Sequence, residues 1–127
     1  MERTYIHSGT PWEETAGYSR AIKVGNIIEV AGTTAMDGGD IIGKDDIEIQ
    51  TRFIFNKIKN SLEQLNASLH NIVRTRMFVT DISKSDLIIK VHGEFFKDIK
   101  PVSSLIEISR LILPGLLIEI EATAIVG

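Results

Sequence analysis

The sequence predicts an α+β domain, a mostly antiparallel sheet packed against two helices in the order β-β-β-α-β-α-β-β. Three observations predict it. Two stretches repeat apolar residues at helical spacing: Ile47, Ile54, Ile58, Leu62 and Leu65, then Ile88, Val91, Phe95 and Ile99. Several shorter stretches alternate apolar and polar residues, the pattern of half-buried strands. The final stretch, Pro101–Val126, is apolar and β-branched, and Leu113-Pro114-Gly115-Leu116 interrupts it. There proline fixes φ and glycine supplies the positive φ of a type II turn. At 127 residues, 43% of them hydrophobic, the chain is long enough for one core and reads as a single domain, 1–127.

In chain order, residues 3–8 make a short first strand. Residues 9–16 read as a loop, with Trp12 as a packing plug. Tyr18–Val24 alternates, Gly25-Asn26 is a turn, and Ile27–Ala31 completes a hairpin. Asp37-Gly38-Gly39-Asp40 is a loop without the glycine spacing of a phosphate cradle. The first helix covers Ile47–Leu65 and stops at Asn66. Ile72–Thr80 is a strand, so a strand, a helix and a strand form a crossover unit. Ser83 with Asp86 resembles a capping box for the second helix, Asp86–Ile99, which Lys100-Pro101 ends. Val102–Ile108 and Leu117–Val126 are then two strands joined by the Pro-Gly turn.

Composition narrows the function. A net charge of −3 with no basic tract argues against a nucleic-acid partner. The absence of cysteine excludes disulfides and thiolate catalysis. Met1–Thr10 has no apolar signal core, and no run approaches the roughly 20 apolar residues of a membrane span. A cytoplasmic protein with no membrane contact is expected, and Asn66-Ala67-Ser68 is a chance sequon. His7, His70 and His92 are too scattered for a metal site, and no cofactor is expected.

One oddity falls in the last strand. Glu119 and Glu121 sit two apart, so both carboxylates face one side while Ile118 and Ile120 face the other. Spacing leaves two readings open, a solvated face or a carboxylate placed in a cleft. The strands also carry apolar residues on both faces: Ile28 and Val30 against Ile27 and Ala31, and Ile106 and Ile108 against Leu105. Two helices cover one face, and a second copy of the chain is the cheapest cover for the other.

Several strings, in order, resemble the Rid family, also called the YjgF or reactive intermediate deaminase family. They are Gly17-Tyr18-Ser19, Val24-Gly25-Asn26, Val30-Ala31-Gly32, Gln50-Thr51-Arg52, Asn66-Ala67-Ser68-Leu69, Ile72-Val73, Phe78-Val79-Thr80-Asp81, Glu94-Phe95-Phe96 and Ile118-Glu119-Ile120-Glu121-Ala122. The resemblance implies a chorismate-mutase-like fold and a homotrimer with ligand clefts between subunits. It also implies hydrolysis of 2-aminoacrylate-type imines to 2-keto acids and ammonia, without a metal or cofactor. It matches Tyr18 to the family's first-strand tyrosine and Glu119 to its water-positioning glutamate. The family's Pro-x-Arg-Ser motif reads Pro101-Val102-Ser103-Ser104, so Ser103 replaces the arginine that holds the substrate carboxylate. The chain therefore resembles an atypical branch that lacks this arginine. The small residue of the family's Ser-Gly pair is Ala31, and the position after the pair is Thr33.

A displaced cation is the natural question. Arg20, two residues after Tyr18, either shares its cleft or is a solvated strand residue; Arg74 and Arg76 are the second choice. His92 is either an interface or packed histidine or a ligand contact. The expected ligand set is Tyr18, Arg20, Thr33, His92 and Ser103 around a catalytic Glu119, with a small metabolite, possibly a carboxylate, as partner. Three functions fit: a metal-free imine deaminase, a binding module without turnover, and a ribonuclease, which the acidic composition disfavours.

Overall fold

The computed structural model describes residues 1–127. The chain runs β1 (Arg3–Ile6), α1 (Pro11–Ala16), β2 (Ala21–Val24), β3 (Ile27–Thr33), β4 (Met36–Asp37), β5 (Asp40–Ile41), α2 (Ile47–Glu63), β6 (Ile72–Val79), α3 (Ser85–Phe96), β7 (Val102–Glu107) and β8 (Ile118–Ile125). Six strands form one sheet in the order β1-β2-β3-β8-β6-β7, and β4 and β5 pair as a separate small hairpin. All neighbours in the large sheet are antiparallel except β6 and β7. The α+β expectation holds. No helix is long and apolar enough to cross a membrane.

Strand β8 lies in the middle of the sheet, between β3 and β6, and its two faces differ. Ile118, Ile120, Ala122 and Ala124 are buried under the helices, while Glu119, Glu121 and Thr123 face the other way. Helix α2 starts at Asp46, whose side chain accepts from the Ile49 amide, and buries Ile47, Ile54, Phe55, Ile58 and Leu62. Helix α3 adds Ile88, Val91 and Phe96 to the same core. Both helices lie in crossover connections, β3 to β6 with β8 inserted between, and β6 to its parallel neighbour β7.

Several local expectations are corrected. The final two strands are not a hairpin. β6 lies between β7 and β8, and residues 108–117 carry the chain across it. The Pro-Gly turn exists, with Gly115 at φ 93 and the Leu116 amide donating to Leu113 O, but it lies inside this connection. Gln50 holds it down: its amide donates to Gly43 O and Gly115 O at 3.0 and 2.7 Å and accepts from the Leu117 amide at 2.9 Å. Residues 11–16 form a helix rather than a loop, with Pro11 in its first turn and Gly17 in the left-handed conformation after it. Trp12 on this helix is 57% exposed and plugs nothing. The second strand begins at Ala21, not Tyr18. Ser83 does not cap α3; Asp81 instead accepts from Ser83 in the preceding turn.

The sheet face away from the helices is less apolar than expected. Its centre carries the Arg76–Glu121 pair and a Thr123–Glu29 hydrogen bond. Tyr5, Ile27, Val73, Val102, Ile106 and Ile125 are its exposed apolar residues.

Candidate functional site

Arg20 ends the loop between α1 and β2 and points inward. It is 8% exposed, so the reading as a solvated residue fails. One guanidinium nitrogen donates to Gly32 O at 2.7 Å and to Thr33 Oγ1 at 3.1 Å; Nε has no partner. Burial pulls its proton affinity down, while Tyr18, Glu13 and Glu119 oppose that shift. A buried guanidinium with an orphan donor is a costly arrangement for structure alone.

Thr33 is the partner of this arginine rather than a ligand contact. It is 1% exposed, accepts from Arg20 and donates to Ala31 O at 2.8 Å. The β3–β8 register shifts between Val30 and Thr33, and this irregularity turns the Gly32 carbonyl and the Thr33 hydroxyl toward Arg20.

Glu119 approaches the same irregularity from β8. A Cβ on Gly32 would lie 2.6 Å from Glu119 Oε2, so only glycine leaves room for this carboxylate. Glu119 forms no ion pair or hydrogen bond within the chain. Burial raises its pKa above the ordinary carboxylate value, Glu121 adds to that, and Arg20 pulls it back. Glu121 differs: Oε1 lies 3.4 Å from Arg76 Nη1.

Tyr18, Arg20, Gly32 and Glu119 line one cavity of about 300 Å³, together with Ser8, Thr10, Trp12, Thr34 and Lys57. Tyr18 also borders a groove of about 540 Å³ that contains Arg76 and Glu121. The expectation that Tyr18 and Arg20 share a side is met, although not by strand alternation, since both precede β2.

One residue of the cavity wall, Lys57, and one buried acid on the adjoining helix α1, Glu13, carried no sequence signal. Lys57 on α2 donates to Met36 O at 2.9 Å. Burial and the Arg20 charge lower its pKa, against Asp37 and Glu13. Glu13 on α1 is buried and accepts from the Ser8 amide and hydroxyl and from Thr10. Burial works against its charge, yet these hydrogen bonds hold its pKa below the ordinary value. Helical spacing shows Lys57 only as a polar position. Its place against the β4–β5 hairpin is a tertiary fact.

Ser103 and His92 are not in this cavity. They meet at β7, at the far end of the sheet from β2. Thr75 Oγ1 donates to Ser103 Oγ at 2.7 Å and lies 2.9 Å from His92 Nε2. The threonine has one proton, so with it directed at Ser103 the imidazole is the donor and carries its hydrogen on Nε2. His92 packs against Phe55 and Phe96, and burial lowers its pKa. It is therefore a packed histidine whose charged form burial disfavours.

The fold and the cavity define a small α+β protein with a buried cation and an unpaired carboxylate meeting at a sheet irregularity. Comparisons with known proteins agree. The model of the family described as Endoribonuclease L-PSP matches residues 10–126. A RutC family protein of Pyrococcus abyssi is 40% identical over 84% of each chain, and an uncharacterized protein of Streptomyces coelicolor is 30% identical over 96% of this chain and 91% of its own. The crystal structure of Rv2704 from Mycobacterium tuberculosis, a member of the YjgF/YER057c/UK114 family, superposes with a TM-score of 0.90 at 45% identity, covering 98% of this chain and 100% of that one. A Rid family protein of Yersinia pestis gives 0.87 at 31% identity, covering 98% and 100%. The chain belongs to this Endoribonuclease L-PSP family, which takes in the RutC, YjgF and Rid proteins. It is a Rid-like small-molecule-binding protein with the expected chorismate-mutase-like α+β fold.

Proposed function

We propose that the chain is a cytoplasmic homotrimer whose clefts bind a small carboxylate-bearing metabolite and hydrolyse it at a C=N bond. The observation that carries this reading is the pairing of a buried, incompletely satisfied Arg20 with an unpartnered Glu119 on one cavity. Arg20 supplies the anion anchor that Ser103 cannot, because a hydroxyl lacks the guanidinium fork that recognises a carboxylate. Glu119 orients a water toward the imine carbon. The water's oxygen bonds to carbon, the nitrogen takes a proton, and the carbinolamine collapses to a 2-oxo acid and ammonia. Such an electrophile needs only a placed water and a proton route. Contact between copies of the chain is supported by the exposed apolar residues on the open sheet face. Assembly would bring the Ser103 edge of one protomer against the Tyr18 cavity of the next, which joins two clusters that lie apart in one chain.

The test is ammonia release from imines made in place by an amino-acid oxidase, with wild type, Arg20→Ala and Ser103→Arg. Wild-type turnover lost in Arg20→Ala supports the deaminase. No wild-type turnover, with activity gained in Ser103→Arg, supports the alternative, a binding module that has shed the chemistry. Light scattering tests assembly separately, and a clean monomer contradicts the shared cleft.

A further inference from the structure

The least explained group around the cavity is the amine of Lys57. It is one of the two cations lining this small space, with Arg20 the other. None of the chain's ion pairs includes it; its only hydrogen bond is to a backbone carbonyl. Lysines that serve structure usually reach solvent or a carboxylate. This one is half-buried on the wall between two spaces, the 300 Å³ cavity and a neighbouring one of about 550 Å³ that contains Asn56 and Asn60.

Size brings the groups into register with a small ligand. A space of about 300 Å³ is equivalent to a sphere about 8 Å across, the scale of a small metabolite, and Arg20, Lys57 and Glu119 all line it. Arg20 takes an anion and Glu119 is a proton donor or acceptor. An amine kept from full solvation beside a second cation is the arrangement that turns lysine into a carbonyl nucleophile.

We propose that Lys57 condenses with the carbonyl group of a small 2-oxo acid whose carboxylate is held by Arg20, and so forms an imine in this cavity. The Nζ lone pair attacks the carbonyl carbon, and the carbonyl oxygen takes a proton from Glu119. The resulting ammonium carbinolamine gives one nitrogen proton to Glu119, which passes it to the hydroxyl; that hydroxyl departs as water and leaves a protonated imine, so no oxidant, reductant or metal is consumed. Burial and the Arg20 charge both favour the neutral amine that this attack requires. The proposal rests on the reading of the cavity as a carboxylate site but not on turnover. A covalent adduct forms whether or not the protein releases ammonia from imines.

Borohydride reduction in the presence of pyruvate tests it, because reduction makes the adduct permanent and visible by intact mass. One reduced adduct per chain is expected, mapped to Lys57, with the other lysines labelled at least tenfold less. Lys57→Arg keeps the charge and should reduce trapping at least tenfold. In Arg20→Gln, trapping with pyruvate should fall severalfold more than trapping with acetaldehyde, which has no carboxylate to anchor. Circular dichroism of each variant separates loss of trapping from loss of fold. Labelling spread evenly over surface lysines, or unchanged in folded Lys57→Arg, overturns the proposal. Ammonia release, measured without borohydride, reports on the deaminase reading alone.

Discussion

Two arginine–glutamate sets stand side by side on this sheet and have opposite characters. In the groove beside β6, Arg76 and Glu121 lie opposite each other in register and approach to 3.4 Å, both partly exposed. In the cavity at the β3 bulge, Arg20 and Glu119 feel each other's charge but do not pair; Arg20 bonds to Gly32 O and Thr33, and Glu119 bonds to nothing. A satisfied surface pair contributes little and asks for no ligand. A buried cation and a half-buried, unpaired carboxylate held apart leave hydrogen-bonding capacity for a third component. The same two residue types thus give a surface contact in one place and a candidate site in the other.

The comparison is broken most directly by exchanging its members. Arg20→Gln should weaken binding of small carboxylates more than tenfold, while Arg76→Gln should change it less than twofold; isothermal titration of both variants decides this. Next in size is Gly32→Ala. Its new methyl would meet the flexible end of Glu119 rather than backbone, so the fold should survive while binding falls severalfold, as read by thermal melting and titration together. Thr33→Val removes the hydroxyl that accepts from Arg20 and should cost about 1–2 kcal/mol in chemical denaturation.

A subtler contrast concerns pH. The Glu119 carboxyl has its pKa raised by burial, then by Glu121, so folding favours its protonated form. Its penalty is absent below the unfolded pKa and grows as pH rises from there through the folded value. Glu119→Gln should therefore raise the melting temperature at neutral pH and lose that advantage in acid. Glu121→Gln should shift stability by at most about 0.2–1 kcal/mol, in the destabilising direction, since it removes an exposed ion pair. Equal melting shifts for the two glutamines would contradict the distinction drawn between them.

Much of this was legible in the sequence, and the gaps have physical causes. Periodicity placed both helices and β8, because apolar spacing reports which face is buried. It could not say which strand is whose neighbour, so the Pro-Gly turn read as a hairpin where β6 intervenes. The glutamate pair was readable as two carboxylates on one face; their difference depends on Gly32 and Arg76, from other strands. Arg20 was nominated by its distance from Tyr18, although the strand behind that reasoning starts only at Ala21. Thr33 was expected as a ligand contact; in the fold it is buried and holds Arg20 instead. Lys57 was invisible, since what makes it notable is its contact with the distant β4–β5 hairpin, and Glu13 read only as one of an acidic pair because its segment was taken for a loop. Ser103 and His92 meet through Thr75, a contact that needs the parallel β6–β7 register.

The central claim is that the Arg20–Glu119 cavity, not the Arg76–Glu121 groove, receives the ligand. Backbone amide shifts during titration with 2-oxobutyrate test it most directly. The account predicts saturable shifts concentrated at Tyr18, Gly32, Thr33 and Thr34, and abolished in Arg20→Gln. Shifts centred on Arg74, Arg76 and Glu121, or shifts that persist undiminished in Arg20→Gln, would contradict it.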